Sequence, residues 1–477
     1  MSKVISCLKK HPVEALVLAI ILVVAAFLYF YKLPSLMHFA NDEARDLFIV
    51  RDMVEEGELI FQGPSVSVGE FYLGPAYYYM LLPFYLVSGF HPVAGGVMVA
   101  LLALGSVALI YVVSRWLFSP AAAIITALLY ATSFLVVLYA RWPWNLNPLP
   151  FFILLSVLAF SKLPKKGESS GSGEAGWAAL FGFSIGFAVQ LHATAYLLVP
   201  IYFVLWLWGG ARLQKKLSYL WLVLGFVNAT IFILLDELLH NFSYLRGLLA
   251  WLTGGRGGKL DLAGKFITNL ENFSEFLSQL WFDRYYWWAG ILFLAVIVVL
   301  FLRIAANKAS EREVLGLKII TVFFVIFFLA FPFLEQKIYG HYFIILFPLA
   351  YLALGHFLGT IFYTGAGKIV VPLIVGGLLF FNLSGLYNYW QALERGDWIG
   401  EFSVPLKDTK KAVEYIMNDS PGQPVAVVTE GSEFDWAFDC WLARQGQPLA
   451  EDGITYVFRL HPGGSSPFGV WELVTKK

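Results

Sequence analysis

Residues 13–31 read VEALVLAIILVVAAFLYFY, an almost continuous apolar run that follows the basic pair Lys9 and Lys10. The hydrocarbon core of a bilayer is about 30 Å thick, and roughly 20 apolar residues in a helix cross it. The end of the run lacks a convincing small-x-small cleavage pattern, so we interpret it as a retained membrane span rather than a signal peptide. This run therefore predicts a membrane protein.

Ten further segments have the same character, and we expect about eleven transmembrane helices in an all-α polytopic membrane protein. Only 14% of the residues are charged, against roughly 25% in ordinary soluble proteins, and 59% are apolar. This composition excludes a soluble multidomain enzyme, a disordered chain and a nucleic-acid-binding protein. The predicted spans lie at about 13–31, 91–114, 119–140, 147–161, 176–191, 193–208, 217–235, 285–302, 314–333, 342–360 and 369–387.

The charges and the cysteines exclude several further classes. The 33 basic residues balance the 33 acidic residues, so no net charge favours an anionic partner. Cys7 and Cys440 are too few for a disulfide framework. Zinc-protease, P-loop and Rossmann motifs are absent from the sequence.

The basic residues between the spans predict the orientation, because cytoplasmic loops are enriched in Lys and Arg. If the N-terminus is cytoplasmic and segment 71–89 does not cross, nearly every basic cluster falls inside. Gly74, Pro75 and Pro83 interrupt that segment, so we expect it to be interfacial or re-entrant. The clusters then placed inside are Arg115, Lys162, Lys165, Lys166, Arg212, Lys215, Lys216, Arg303, Lys308, Arg312 and Lys368.

The chain is predicted to consist of a transmembrane domain, 1–390, and a small extracytoplasmic α/β domain, 391–477. The predicted elements of the second domain are a helix at 408–417, a strand at 425–429, a helix opened by Ser432 with Asp435 that stops before Gly446, and a strand at 454–460.

The first outer loop contains the sequence HFANDEAR at 38–45, in which Asp42 and Glu43 open a predicted amphipathic helix that ends at Gly57. Carboxylates are favoured at such a position by the helix dipole, so Asp42 could serve simply as a helix N-cap. A second acid, Glu70, lies later in the same loop. Either Asp42 or Glu43 could instead act as a general base.

A second outer loop, 236–283, carries His240, Arg246 and a glycine-rich run at 254–259 that includes Arg256. Such a run next to a predicted interfacial helix at 266–280 could act as a gate over a site. The basic residues of the outer loops bear on the chemistry. If the leaving group is the phosphate ester of a lipid, one carboxylate base and a few cations are sufficient to catalyse transfer of the attached group to a hydroxyl. The basic residues expected on the outer face are Arg141, His192, His240, Arg246, Lys337 and His341. Four of them also have a structural interpretation: Arg141 as an interfacial anchor, Lys337 as a snorkelling lysine, and the two histidines as a turn residue (His192) and a helix-end residue (His341).

The chain resembles the GT-C glycosyltransferases, in the branch of the protein O-mannosyltransferases and lipid A aminoarabinose transferases (glycosyltransferase family 39). The resemblance covers roughly residues 10–390. It rests on the acidic pair Asp42-Glu43 after one span and on four later motifs. These are Gly74-Pro75-Ala76-Tyr77-Tyr78-Tyr79, Arg141-Trp142-Pro143-Trp144-Asn145, Gln190-Leu191-His192 and His341-Tyr342-Phe343.

The resemblance implies an inverting hexosyl or pentosyl transferase at the outer face of the cytoplasmic (inner) membrane. The donor is a polyprenyl-phosphate sugar, the acceptor is a glycan, lipid or protein hydroxyl, and no metal is required. Asp42 matches the catalytic base, with Glu43 as its partner and Glu70 as a second acid. Candidates for binding the donor phosphate are Arg141, Lys337, His341 and His192. His240, Arg246 and Arg256 are assigned to an acceptor-binding or gating loop.

Two other functions remain open. A transporter or flippase for a lipid-linked saccharide would line its midplane with polar residues and broken helices. A non-catalytic scaffold would use the C-terminal domain to bind a partner. Because nearly all the acids lie in outer loops, the enzyme is the preferred interpretation.

The predicted orientation can be tested by labelling. A cysteine introduced at Gly171, in the predicted cytoplasmic linker, should be protected from membrane-impermeant thiol reagents in intact cells. It should become reactive once the membrane is permeabilised. Labelling from outside would overturn the topology.

Overall fold

The computed structural model describes residues 11–66, 72–164, 173–208, 213–253, 262–306, 308–334, 337–397, 400, 404–431, 434–461 and 466–477. Glu70, Arg256 and Ser432 lie outside these ranges. The described chain is predominantly helical, with one small sheet near the C-terminus.

The α-helices, in chain order, are α1 (Pro12–Phe30), α2 (Leu33–Leu36), α3 (Asn41–Glu56), α4 (Ala76–Ser88), α5 (Val93–Leu117), α6 (Pro120–Thr132), α7 (Phe134–Ala140), α8 (Leu149–Ser161), α9 (Glu174–Leu191), α10 (Leu198–Leu207), α11 (Lys216–Leu239), α12 (Ser243–Thr253), α13 (Leu262–Phe282), α14 (Ala289–Ala305), α15 (Glu311–Ala330), α16 (Phe347–Phe362), α17 (Gly367–Arg395), α18 (Leu406–Asp419) and α19 (Asp435–Arg444). Short 3₁₀ turns occur at Ala193–Leu197, Phe331–Phe333 and Gly340–Leu346, and the strands are β1 (Val425–Glu430), β2 (Ile454–Leu460) and β3 (Trp471–Lys476).

Each of the eleven predicted spans coincides with a helical segment. Within the described residues, 7 helices are long and apolar enough to cross a membrane: α1, α5, α9, α11, α15 with its 3₁₀ turn, α16 with its 3₁₀ turn, and α17. Helices α6 and α7 form a further segment that is bent by 62°. Three apolar segments are shorter: α8, Ala193–Leu207 and α14. The prediction of a polytopic helical membrane protein is therefore confirmed, and the count of eleven stays a prediction because of these short helices.

Helix α4 corresponds to the interrupted segment 71–89. Its 13 residues would extend about 20 Å, well short of a bilayer core of about 30 Å, and Pro83 lies inside it. Its aromatic residues Tyr77, Tyr78 and Tyr85 are buried, and the helix packs against α3 and α5. These features agree with the expected interfacial or re-entrant element.

The helices pack closely where small residues face each other. A side chain at Gly182 or Gly225 would collide with the backbone of the opposite helix in the α9–α11 pair. A side chain at Gly355 of α16 would likewise collide with Thr126 of α6. Close approach at small residues is the usual way in which helices associate within a membrane, where lipid removes the hydrophobic driving force.

The C-terminal residues form the predicted small α/β unit. Its sheet has the order β1-β2-β3, with β1 and β2 parallel and β2 and β3 antiparallel. The two predicted helices and two predicted strands are present, whereas β3 was missed by the sequence analysis. Helix α17 continues to Arg395, so the predicted domain boundary at 390 falls within a helix.

The C-terminal unit is joined to the first outer loop by backbone hydrogen bonds. Phe39 N donates to Val404 O at 3.2 Å, and Leu406 N donates to Met37 O at 2.9 Å. Helix α19 also packs against α3. The segment that leads into the acidic helix α3 is thereby held from both sides, by the bundle and by the C-terminal unit.

Candidate active site

A cavity of about 970 Å³ lies where α3, the loop after α7, helix α13 and the segment before α16 meet. Phe434 of the C-terminal unit also lines it. The wall contains many aromatic side chains and several polar ones, and ligand sites usually combine aromatic residues with polar groups that orient the ligand. These side chains are His38, Asn41, Asp42, Glu43, Tyr139, Trp142, Trp144, Asn272, Glu275, Phe276, Gln279, Lys337, Tyr339, His341, Tyr342, Phe343 and Phe434.

Asp42 is the second residue of α3 and lines this cavity. Its side chain is 49% exposed, and its Oδ1 accepts a hydrogen bond from Arg45 Nη1 at 2.7 Å. The N-cap position belongs to Ala40, so the alternative interpretation of Asp42 as the N-cap is wrong. The carboxylate of Asp42 thus lies at the cavity wall, and it does not cap α3.

Glu43 caps the helix instead, and it is almost fully buried. Its Oε2 accepts a hydrogen bond from Ala40 N at 2.6 Å, and its Oε1 accepts one from the indole N–H of Trp142. Burial, reinforced by the neighbouring charge of Asp42, raises the pKa of Glu43 to about 8. Glu43 therefore joins the start of α3 to the loop after α7, and both of its oxygens are occupied by these bonds.

Lys337 and His341 enter the same cavity from the segment that precedes α16. Lys337 is exposed, and its Nζ lies 5.3 Å from the ring centre of Tyr339. The His341 ring lies parallel to that of Tyr339 and edge-on to that of Trp144, with ring centres 5.7 and 4.8 Å away. The structure thus brings two of the four candidate phosphate-binding residues to the cavity that contains Asp42.

The other two candidates lie outside the set of residues that line the cavity. His192 lies behind His341, with the ring centres 6.0 Å apart, and its Nδ1 pairs with Thr194 Oγ1 at 2.8 Å. Arg141 is buried, and its Nη1 donates to the carbonyl oxygens of Leu28 and Tyr29 at the end of α1. Arg141 therefore joins the end of α1 to the end of α7 and does not face the cavity.

Of the residues assigned to an acceptor-binding or gating loop, the two that the structure describes, His240 and Arg246, are not among the residues that line this cavity. His240 lines a separate, smaller cavity of about 270 Å³, where its Nδ1 lies 2.8 Å from Asp236 Oδ1. Arg246 is exposed on α12. Glu70 and Arg256 lie outside the described residues, so their positions relative to the cavity stay predictions.

Two sets of residues were not recognised from the sequence. On α3, Asp46 was missed; with Glu43 it occurs at helical spacing among Ala44, Leu47 and Val50, all of which are buried. Acids on the apolar face of a helix are a recognisable signal, because an unpaired buried charge is costly. Burial raises the pKa of Asp46 to about 7, although Arg45 opposes this shift.

The second set lies on α13, where the sequence analysis considered only the apolar stripe. Asn272, Glu275 and Gln279 recur at intervals of three and four residues and line the cavity together. Gln279 Nε2 donates to Glu275 Oε1 at 3.0 Å. This polar stripe, read separately from the apolar one, would have predicted that α13 forms a wall of the site.

The arrangement combines a carboxylate, an exposed ammonium group and an imidazole with several aromatic rings in one cavity. A carboxylate can accept a proton from a hydroxyl group, and an ammonium group can neutralise a phosphate. Aromatic rings and amides are suited to contact a sugar, which has apolar faces and many hydroxyl groups. Among the described residues, no three His, Cys, Asp or Glu side chains cluster as metal ligands.

One protein-family model matches part of the chain. Residues 73–234 match the family model described as dolichyl-phosphate-mannose-protein mannosyltransferase. The match covers about a third of the chain and begins after Asp42. No curated protein sequence matches the chain.

Solved structures show the same fold at low sequence identity. ArnT from Cupriavidus metallidurans, bound to undecaprenyl phosphate, has a TM-score of 0.57 and 13% identity over 92% of both chains. The Archaeoglobus fulgidus oligosaccharyltransferase, tethered with an acceptor peptide, has a TM-score of 0.55 and 12% identity over 93% of this chain and 64% of that chain. Another structure of the archaeal enzyme, AglB with an inhibitory peptide and a dolichol-phosphate, has a TM-score of 0.52 and 13% identity over 97% and 65%. The resemblance to the GT-C superfamily is confirmed.

The buried Glu43 predicts how stability depends on pH. Its pKa is about 8 in the folded protein against 4.5 in the unfolded chain, so the folded state binds its proton more tightly. The stability that this proton contributes is complete below pH 4.5 and is lost as the pH rises through 8. Each pKa unit of difference corresponds to about 1.4 kcal/mol. We expect Glu43→Gln to reduce the fall in unfolding temperature between pH 5 and pH 9 in detergent.

The exposed Glu55 near the end of the same helix provides the control. Glu55→Gln should leave the pH dependence of unfolding as it is in the wild type, because its side chain is 64% exposed. Equal slopes for Glu43→Gln and the wild type would show that Glu43 titrates normally and is not held in a buried site.

Proposed function

We propose that this membrane protein of GT-C fold is an inverting glycosyltransferase. It transfers a sugar from a polyprenyl-phosphate-linked donor to an acceptor hydroxyl group at the outer face of the cytoplasmic membrane. The observation that carries the proposal is the convergence of Asp42, Lys337 and His341 on one cavity. Two structures of this fold contain the phosphate of a polyprenyl lipid, undecaprenyl phosphate in ArnT and a dolichol-phosphate in AglB.

The proposed reaction is a single displacement. The acceptor hydroxyl gives its proton to the carboxylate of Asp42 as its oxygen forms a bond to the anomeric carbon. The bond between that carbon and the phosphate oxygen breaks, and its electron pair leaves with the polyprenyl phosphate. Attack opposite the leaving group inverts the configuration. The leaving phosphate carries stable negative charge, so no general acid is needed.

Lys337 is proposed to neutralise the donor phosphate, with His341 beside it as a hydrogen-bond partner. The exposed Lys337 ammonium group is free to approach a phosphate that arrives from the lipid. We propose that the transfer requires no bound metal ion, since this cation supplies charge to the leaving group. His192 acts indirectly, because it lies behind His341, and Arg141 has no proposed contact with the donor.

Glu43 is proposed to position the base rather than to exchange a proton with the acceptor. Both of its oxygens are occupied by hydrogen bonds to Ala40 N and Trp142 Nε1. Trp142 itself lines the cavity, as do Trp144 and the α13 residues Asn272 and Gln279. These side chains are proposed to contact the sugar, a hexose or a pentose. Glu70 is retained as a second acid on the strength of the resemblance alone.

The proposed topology places the cavity and the C-terminal unit outside and the N-terminus in the cytoplasm. Asp42 and Glu43 lie on α3, which is not one of the predicted spans. A carrier for a lipid-linked saccharide would need its polar groups at the bilayer midplane. The position of the acids therefore favours an enzyme. The acceptor, whether a glycan, a lipid or a protein, would enter between α3 and the C-terminal unit, where Phe434 lines the cavity.

Replacement of the base tests the reaction. Asp42→Asn should lower transfer by about a hundredfold or more, since it removes the proton acceptor while preserving the shape of the side chain. The measurement is sugar transfer by purified protein from a panel of polyprenyl-phosphate sugars. Asp52→Asn is the matched control, because Asp52 lies on the same helix, is 48% exposed and pairs with an arginine. Transfer retained by folded Asp42→Asn would exclude Asp42 as the base.

Lys337→Ala tests the phosphate site. Loss of the ammonium group should raise the KM for the donor by about tenfold, with a smaller effect on kcat, because the charge contacts the donor phosphate already in the ground state. Lys308→Ala, at the predicted cytoplasmic side, should have no effect. A donor titration in which only the maximal rate falls would contradict a role in donor binding.

A further inference from the structure

Arg45 lies between two acids on α3, and this arrangement is not explained by the chemistry above. Its Nη1 donates to Asp42 Oδ1 at 2.7 Å. Its Nη2 and Nε both donate to Asp46 Oδ1, at 2.7 and 2.9 Å. One guanidinium group is therefore held by three hydrogen bonds between two carboxyl groups.

The two carboxyl groups differ sharply in exposure. The side chain of Asp46 is 1% exposed, that of Arg45 is 25% exposed and that of Asp42 is 49% exposed. The three residues therefore lead from the protein interior to the cavity wall. A carboxyl group in the interior cannot move far, because its surroundings are closely packed. It provides a fixed point from which Arg45 is oriented.

We infer that Arg45, anchored by the buried Asp46, is a positioning residue for Asp42 as the base of the proposed reaction. The inference rests on the proposed function. An arginine side chain that is free in solvent samples many rotamers, and two hydrogen bonds to Asp46 restrict it to one. The restricted guanidinium group then fixes Asp42 through its Oδ1. No hydrogen bond to Asp42 Oδ2 occurs among the described residues, so Oδ2 is available to the proton of the acceptor hydroxyl.

The same helix contains a second Arg-Asp pair that lacks this construction. Arg51 donates to Asp52 Oδ1 from Nε at 3.3 Å and from Nη2 at 3.1 Å, and Asp52 is 48% exposed. Arg51 and Asp52 are not among the residues that line the cavity. The second pair therefore has the same Arg-Asp sequence, but its aspartate is exposed and its arginine does not bond to Asp42. It provides a matched control.

The test measures kinetics of the full-length protein in detergent or liposomes. Arg45→Gln should lower kcat by about tenfold to a hundredfold, because misplacement of a catalytic group by about 1 Å has effects of this size. The KM for the donor should change by less than about twofold, since Arg45 is not among the residues that line the cavity. Arg45→Lys should recover part of the lost kcat, and Arg51→Gln should match the wild type.

The role of Asp46 is tested separately. Asp46→Asn keeps an oxygen that can accept from Arg45 but removes its charge, so it should lower kcat less than Arg45→Gln does. In the Asp42→Asn background, Arg45→Gln should cause no further loss, because residues that act as one unit have non-additive effects. A residue with a purely structural role would lower stability and would still affect the Asp42→Asn variant.

The outcomes separate this inference from the proposed function. If wild-type protein transfers sugar and Arg45→Gln is folded with an unchanged kcat, the positioning role is overturned and the proposed function stands. An additive loss in the Asp42→Asn background also overturns it. If the wild type transfers no sugar from any polyprenyl-phosphate donor in the panel, while it binds a polyprenyl phosphate, both the proposed function and the positioning role fail.

Discussion

The site depends on one buried carboxyl group, that of Glu43. It accepts a hydrogen bond from the backbone of Ala40, which sets the first turn of α3, and another from Trp142, which lies about a hundred residues further along the chain. A buried carboxyl group without such partners would cost several kcal/mol. The pairing therefore holds the start of α3 against the loop after α7, and this places Asp42 at the wall of the cavity.

The C-terminal unit stabilises the same region from the other side. Its backbone pairs with residues 37 and 39, immediately before α3, and Asn41 Oδ1 accepts a hydrogen bond from Trp436 N at 3.2 Å. Phe434 extends the wall of the cavity. The C-terminal unit therefore helps to form the space in which an acceptor would lie, although its described residues offer no catalytic set of their own.

The sequence predicted the helical architecture well, and it named four residues that line one cavity, although their roles stay predictions. The eleven apolar segments all became helices, and Asp42, Glu43, Lys337 and His341 do line one cavity. Arg141 was grouped with the basic residues of the outer face, but it is buried and its Nη1 donates to carbonyl oxygens at the end of α1. A basic residue that follows a span has the same sequence pattern whether it points into a cavity or into a helix end, so pattern alone could not separate these two cases.

The sequence by itself determined that the chain enters a membrane, where its helices lie and that an acidic helix follows the first span. These properties depend on local apolar content, because lipid excludes unpaired backbone and charge wherever a segment crosses. Only the tertiary structure decided which charged residues share a cavity and which acid is buried. Those properties depend on residues that are far apart in the sequence, such as Asp42, Lys337 and Phe434, which line one cavity. No local pattern specifies how the fold brings them together.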